Sequence, residues 1–92
     1  MDSVTIRLTK PVKDFGKVIE EVTISREVVG SDMVACDGLG ANAATLKLIE
    51  RLCGISEAAT MSLMVKDVKA IEAAMAPFAG YGPENSTPST VS

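Results

Sequence analysis
The sequence predicts an α+β domain, an N-terminal antiparallel β-hairpin followed by three to four short α-helices and a disordered C-terminal tail. Three observations predict it. Val4-Thr5-Ile6-Arg7-Leu8-Thr9 alternates apolar and polar residues with the period of a half-buried strand. After Ser25 the apolar residues recur instead at steps of three and four, the period of a helix. From Gly80 onward the chain is a Gly/Pro/Ser/Thr run with too little apolar content to offset the entropy of ordering it. The domain is therefore placed at 1–79 and the tail at 80–92.

In the first strand Val4, Ile6 and Leu8 face the core. The second strand signal runs from Val18 to Ser25, where Val18, Ile19, Val22, Thr23 and Ile24 are β-branched. Val18, Val22 and Ile24 share its apolar face, with Glu20 out of place among them. Between the strands, Pro11 cannot donate to a ladder and Gly16 offers a positive φ, so the hairpin is expected to have a somewhat long connection. A lone hairpin is marginal in water, and something must cover its apolar face.

The helices follow in order. A short one is expected over Asp32–Cys36, with Ser31 as its cap and Gly38 or Gly40 ending it. A stronger one covers 41–53, where Leu39, Ala43, Leu46, Ile49 and Cys53 form a stripe that Leu48 and Leu52 widen. That width implies neighbours on two sides. Gly54 stands where a left-handed helix terminus is preferred. Ser56 caps a further helix from Glu57 to about Met64. The last helix starts near Lys66 and carries Val68, Ile71, Met75 and Phe78 on one face, with Lys66, Asp67, Lys69 and Glu72 on its polar face. Pro77 limits its extent.

Composition narrows the function. The chain of 92 residues is 47% hydrophobic and 23% charged, an ordinary globular balance. Nine basic and twelve acidic residues give a net charge of −3. The basic ones are scattered, which argues against nucleic acid as a partner. No stretch approaches the roughly 18 apolar residues of a membrane span. The start lacks a basic region followed by an apolar run, so the cytoplasm is the expected setting, with Cys36 and Cys53 reduced. There is no histidine, which removes the commonest general base and metal ligand. The two cysteines lack a CxxC spacing, and Gly38-Leu39-Gly40 lacks the spacing of a phosphate loop. Neither an enzyme nor a cofactor or metal site is expected.

A binding module is the reading that remains. A domain this small can hardly bury every apolar residue between Leu46 and Phe78, and flexible methionines suit surfaces that meet varied partners. The candidate contact residues are Met61, Met64, Val68, Ile71, Met75 and Phe78, set against the simpler reading in which they cover the hairpin.

The order of features also carries a resemblance. Val4-Thr5-Ile6-Arg7-Leu8-Thr9-Lys10-Pro11 leads through Gly16-Lys17 into Glu21-Val22-Thr23-Ile24-Ser25-Arg26-Glu27. Gly30-Ser31-Asp32-Met33, Ile49-Glu50-Arg51-Leu52-Cys53-Gly54-Ile55-Ser56 and Val65-Lys66-Asp67-Val68-Lys69-Ala70-Ile71 follow. Over residues 4–78 this series resembles the small tail assembly chaperones of contractile-tailed phages and Mu-like prophages, often labelled protein E or 41. Val28 stands where that family commonly has proline, Cys53 replaces a threonine and Ile55 a leucine. The resemblance implies a non-enzymatic factor of the host bacterial cytoplasm. It would bind and solubilise the tape measure protein, help recruit the tail tube protein, and be absent from the mature virion. It further implies that a longer frameshifted form can exist, for which the tail after Gly80 would suit the junction. Homo-oligomers through an uncovered hairpin edge are a further expectation. The alternatives are a structural virion component (a small tail or head-completion protein) and a small helix-turn-helix regulator whose recognition helix would offer Asn42, Lys47 and Arg51.

Overall fold
A computed structural model describes residues 3–79; the tail expected from 80 onward lies outside the described residues. Strand β1 (Val4–Asp14) and strand β2 (Lys17–Ile24) pair antiparallel as a two-stranded sheet. Four helices follow, α1 (Gly30–Ala35), α2 (Ala41–Cys53), α3 (Glu57–Met61) and α4 (Val65–Met75), and a 3-10 turn at Ala76–Ala79 closes the domain. The α+β class and the order of elements are those the sequence predicts.

The hairpin corrects two details. Its connection is tight, not long: only Phe15 and Gly16 separate the strands, both at positive φ (53° and 81°), the pattern of a two-residue turn whose twist matches the strands. β1 runs through Pro11, which is tolerated because no ladder pair with β2 forms there. Pro11 lies within an irregular stretch where the five steps from Arg7 to Val12 are matched by the two steps from Glu21 to Ile19, a net shift of three. Because that shift is odd, the residues paired across the sheet change parity. Val22 and Ile24 are buried at one end, but Ile19 takes over opposite Val12, and Val18 turns outward. The expectation that Val18 faces the core therefore fails beyond the bulge.

The core lies between the base of the hairpin and the helices. Leu8, Val12, Val22 and Ile24 from the sheet meet Ile49 and Leu52 of α2, Ala59 of α3, Ile71 and Met75 of α4, and Phe78. Leu63 and Ile55 close the loops between helices. Each such side chain contributes about 1.5–3 kcal/mol when fully buried, before entropy is subtracted. The Val28 N–H donates to the Phe78 carbonyl at 3.0 Å, tying the strand–helix linker to the end of the domain.

The helix ends are set locally. Gly54 ends α2 at φ 71°, and Ser56 Oγ accepts the Ala59 N–H at 3.1 Å to open α3. For α1, however, the cap residue is Val29 and not Ser31. Asp32 in the first turn reaches back to accept the Val29 N–H at 2.9 Å, the reciprocal half of a capping box.

Candidate partner-binding surface
Two buried carboxylates hold the scaffold on which the apolar surface is displayed, and neither was given that role by the sequence. Asp32 is fully buried between the β2–α1 linker and α2. Arg26 binds it through two parallel contacts, Nη1 to Oδ2 at 2.8 Å and Nη2 to Oδ1 at 3.0 Å, and Arg51 Nε reaches Oδ1 at 2.6 Å. Hydrogen bonding from Arg26 is the main cause holding its carboxyl far below the usual carboxylate range. Arg51 and the Val29 N–H add to this, against the opposing effect of burial.

Asp67 corrects its assignment to the polar face of the last helix. It is buried, and its carboxylate accepts the Thr9 N–H (3.0 Å), the Thr9 hydroxyl (3.0 Å) and the Lys10 N–H (3.4 Å). These donors belong to the irregular stretch of β1, where β2 offers them no regular ladder partner. Burial pushes the Asp67 carboxyl up, but the bonds from Thr9, then Lys10, and the nearby Lys66 charge outweigh it, so the net direction is down. α4 is thereby pinned to the bulge.

The six contact residues expected from the sequence divide. Met61 is 67% exposed, Met64 is exposed at the start of α4, and Val68 is half-buried against the core. Ile71, Met75 and Phe78 are buried and form the floor under the hairpin. Their helical spacing is that of the face α4 turns inward, so these three are core residues, with only the edge of Met75 reaching a groove beside α2. Val65, 72% exposed, joins the surface group instead.

The surface missed by the sequence is built around α2. One groove, about 570 Å³, lies between α2 and the start of α4, with Leu46, Val65 and Val68 along it and Asn42, Lys69 and Glu72 at its rim. A second, about 480 Å³, lies between α2 and α3, with Leu39, Ala43, Leu46 and Met61 as its apolar wall and Lys47, Glu50 and Glu57 around it. A third, about 330 Å³, continues beneath Val28 and Leu48 toward Met75. Leu46 lines the first two, so one helix presents apolar surface on both flanks. The signal available in the sequence was the widened stripe of α2, an apolar helix too broad for a single neighbour.

The chemistry offered is apolar contact with a charged rim. Among the described residues no group of His, Cys, Asp and Glu is arranged to hold a metal ion, and no helix is long and apolar enough to cross a membrane. Burial pushes the Cys53 thiol up to about 11, so it stays protonated at neutral pH. The chain matches no family model, and neither curated proteins nor solved structures show significant similarity to it.

Proposed function
We propose that the chain is a phage tail assembly chaperone. It binds and solubilises the tape measure protein in the host cytoplasm, helps recruit tail tube subunits, and is left out of the mature virion. The motif series over residues 4–78 supplies the specific partner. The observation that carries the binding role is the pair of apolar grooves flanking α2, above all the one between α2 and α4. An amphipathic helix laid in that groove would cover its own apolar face against Leu46, Val65 and Val68, while Lys69 and Glu72 fix its register from the rim. The cations that a DNA-reading α2 would need are already engaged: Lys47 pairs with Glu50 at 3.1 Å and Arg51 with Asp32. This disfavours the regulator reading.

Co-expression with the tape measure protein encoded beside it, followed by pull-down and size-exclusion chromatography, tests the proposal. A soluble complex is expected, and it should be lost in a Val65→Asp/Val68→Asp variant whose circular dichroism is unchanged. A tape measure protein that stays insoluble, with no complex, sinks it. Recovery of this chain from purified particles would make it a structural virion component instead.

A further inference from the structure
The most exposed aromatic side chain among the described residues sits at the hairpin turn, outside the core of its own protomer. Phe15, 91% exposed, occupies the first central position of the hairpin turn at φ 53°, a conformation that glycine or asparagine adopts with less strain. Val18, 57% exposed, lies beside it. Two lysines and one carboxylate, Lys13, Lys17 and Asp14, leave the tip with a net positive charge of about one. Lys13 and Lys17 flank Phe15, and neither enters an ion pair among the described residues.

The groove between α2 and α3 has the opposite character. Its apolar wall includes Leu39, Leu46 and Met61, and its rim carries Glu50 and Glu57. Lys47 neutralises Glu50 at 3.1 Å, and Glu57 has no ion pair among the described residues, so the rim is net acidic. At about 480 Å³ it is roomy for an aromatic ring, given that an apolar cavity of roughly 150 Å³ accommodates benzene.

A hairpin cannot bring this tip to its own groove. The strands are paired from Val12 with Ile19 to Asp14 with Lys17, and Val12 is the last buried residue of β1, so the turn around Phe15 is held out beyond the core. The described residues extend over 47 × 28 × 21 Å, consistent with a projecting arm.

We propose that the hairpin tip of one copy seats in the α2–α3 groove of a second copy. Phe15 packs against Leu46 and Met61, and Lys13 and Lys17 face Glu57 and Glu50. The contact is head-to-tail, so each copy offers one tip and one groove, and growth continues until a ring closes. This inference rests on the α2–α3 groove, whereas the chaperone reading rests above all on the α2–α4 groove; Leu46 lines both, and the hairpin tip belongs to this inference alone.

Sedimentation velocity of the purified chain over a range of concentrations tests it. Concentration-dependent association is expected, weakening several-fold between about 0.05 and 0.5 M salt as the screening length shortens. Phe15→Asn should be monomeric yet at least as heat-stable as the parent chain, because it relieves the turn. Met61→Asp should also be monomeric alone. Mixing the two variants is the decisive step: one retains the groove and the other the tip, so a 1:1 heterodimer and nothing larger should form. A parent chain that stays monomeric up to hundreds of micromolar overturns the proposal. So does a Phe15→Asn variant that assembles normally, which would point to pairing of free strand edges, or a mixture that stays monomeric.

Discussion
The two ends of the hairpin have the same local sequence character and opposite fates. At the base, Val22 and Ile24 disappear beneath α2, and Asp67 of α4 grips Thr9 and Lys10. At the tip, Phe15 and Val18 stand in solvent, and no helix reaches them. Cross-strand side-chain contacts outside the core are of the weak, exposed kind, such as Arg7 with Glu20 at 3.3 Å and the Thr5–Thr23 hydroxyl pair at 3.1 Å. β-branched residues therefore mark where a strand forms, but the helices packed on it decide which part is structural and which part is free to meet another molecule.

That contrast can be broken most strongly at the base. Ile24→Ala should destabilise the domain by about 2–5 kcal/mol, read by urea denaturation, because it leaves a void in a fully buried site. The same truncation at Val18 should stay within about 0.5 kcal/mol. A comparable cost at both positions would mean that the tip is packed in solution.

Next in size, Asp67→Ala should cost about 1–3 kcal/mol, since the Thr9 and Lys10 N–H groups lose their acceptor in a part-buried setting. Hydrogen exchange should then speed up at those two amides before it does in α2.

The acid response sharpens the same division. Asp32 and Asp67 both have carboxyl pKa values lowered in the folded chain. Their stabilisation is thus fully present above the unfolded-state value of about 3.9 and is lost as pH falls through the lower folded values. Thermal stability should be level from neutral pH down to about 5 and should fall below about 4. The Asp67→Asn variant should show a shallower acid limb, whereas substitutions at the tip should leave the limb unchanged.

The smallest expected effect has the opposite sign. Phe15→Asn should stabilise the monomer by up to about 1 kcal/mol, because asparagine enters the left-handed region more readily than phenylalanine. A loss of stability would show that the ring has a partner within its own protomer.

Much of the architecture was legible along the chain. The alternation at 4–9, the change of period after Ser25, the Gly54 terminus of α2 and the Ser56 cap of α3 are each set by residues within one or two turns of one another. So is the positive φ at Gly16, although the phenylalanine beside it hid how tight that turn is. The candidate surface was only half legible. Met61 and Met64 are exposed and Val68 half-buried, but Ile71, Met75 and Phe78 are the inward face of α4, and helical spacing is identical for a face that meets a hairpin and one that meets a partner. Leu46 and Val65 belong to the apolar surplus legible in the sequence but not to the candidate contact residues, because both look like core residues until the neighbours of α2 are known.

By itself, then, the sequence determined the class, the order of elements, the Gly54 end of α2 and the Ser56 start of α3, and the apolar surplus from which a binding role is proposed; the third helix stops at Met61, short of the Met64 the sequence suggested. Only the tertiary structure decided the odd register shift in β1, the burial of Asp32 and Asp67, and which apolar residues remain outside. These depend on groups far apart in the chain, such as Thr9 with Asp67 and Arg51 with Asp32. A carboxylate on a helix reads as solvated until a strand from elsewhere brings the N–H groups that bury it.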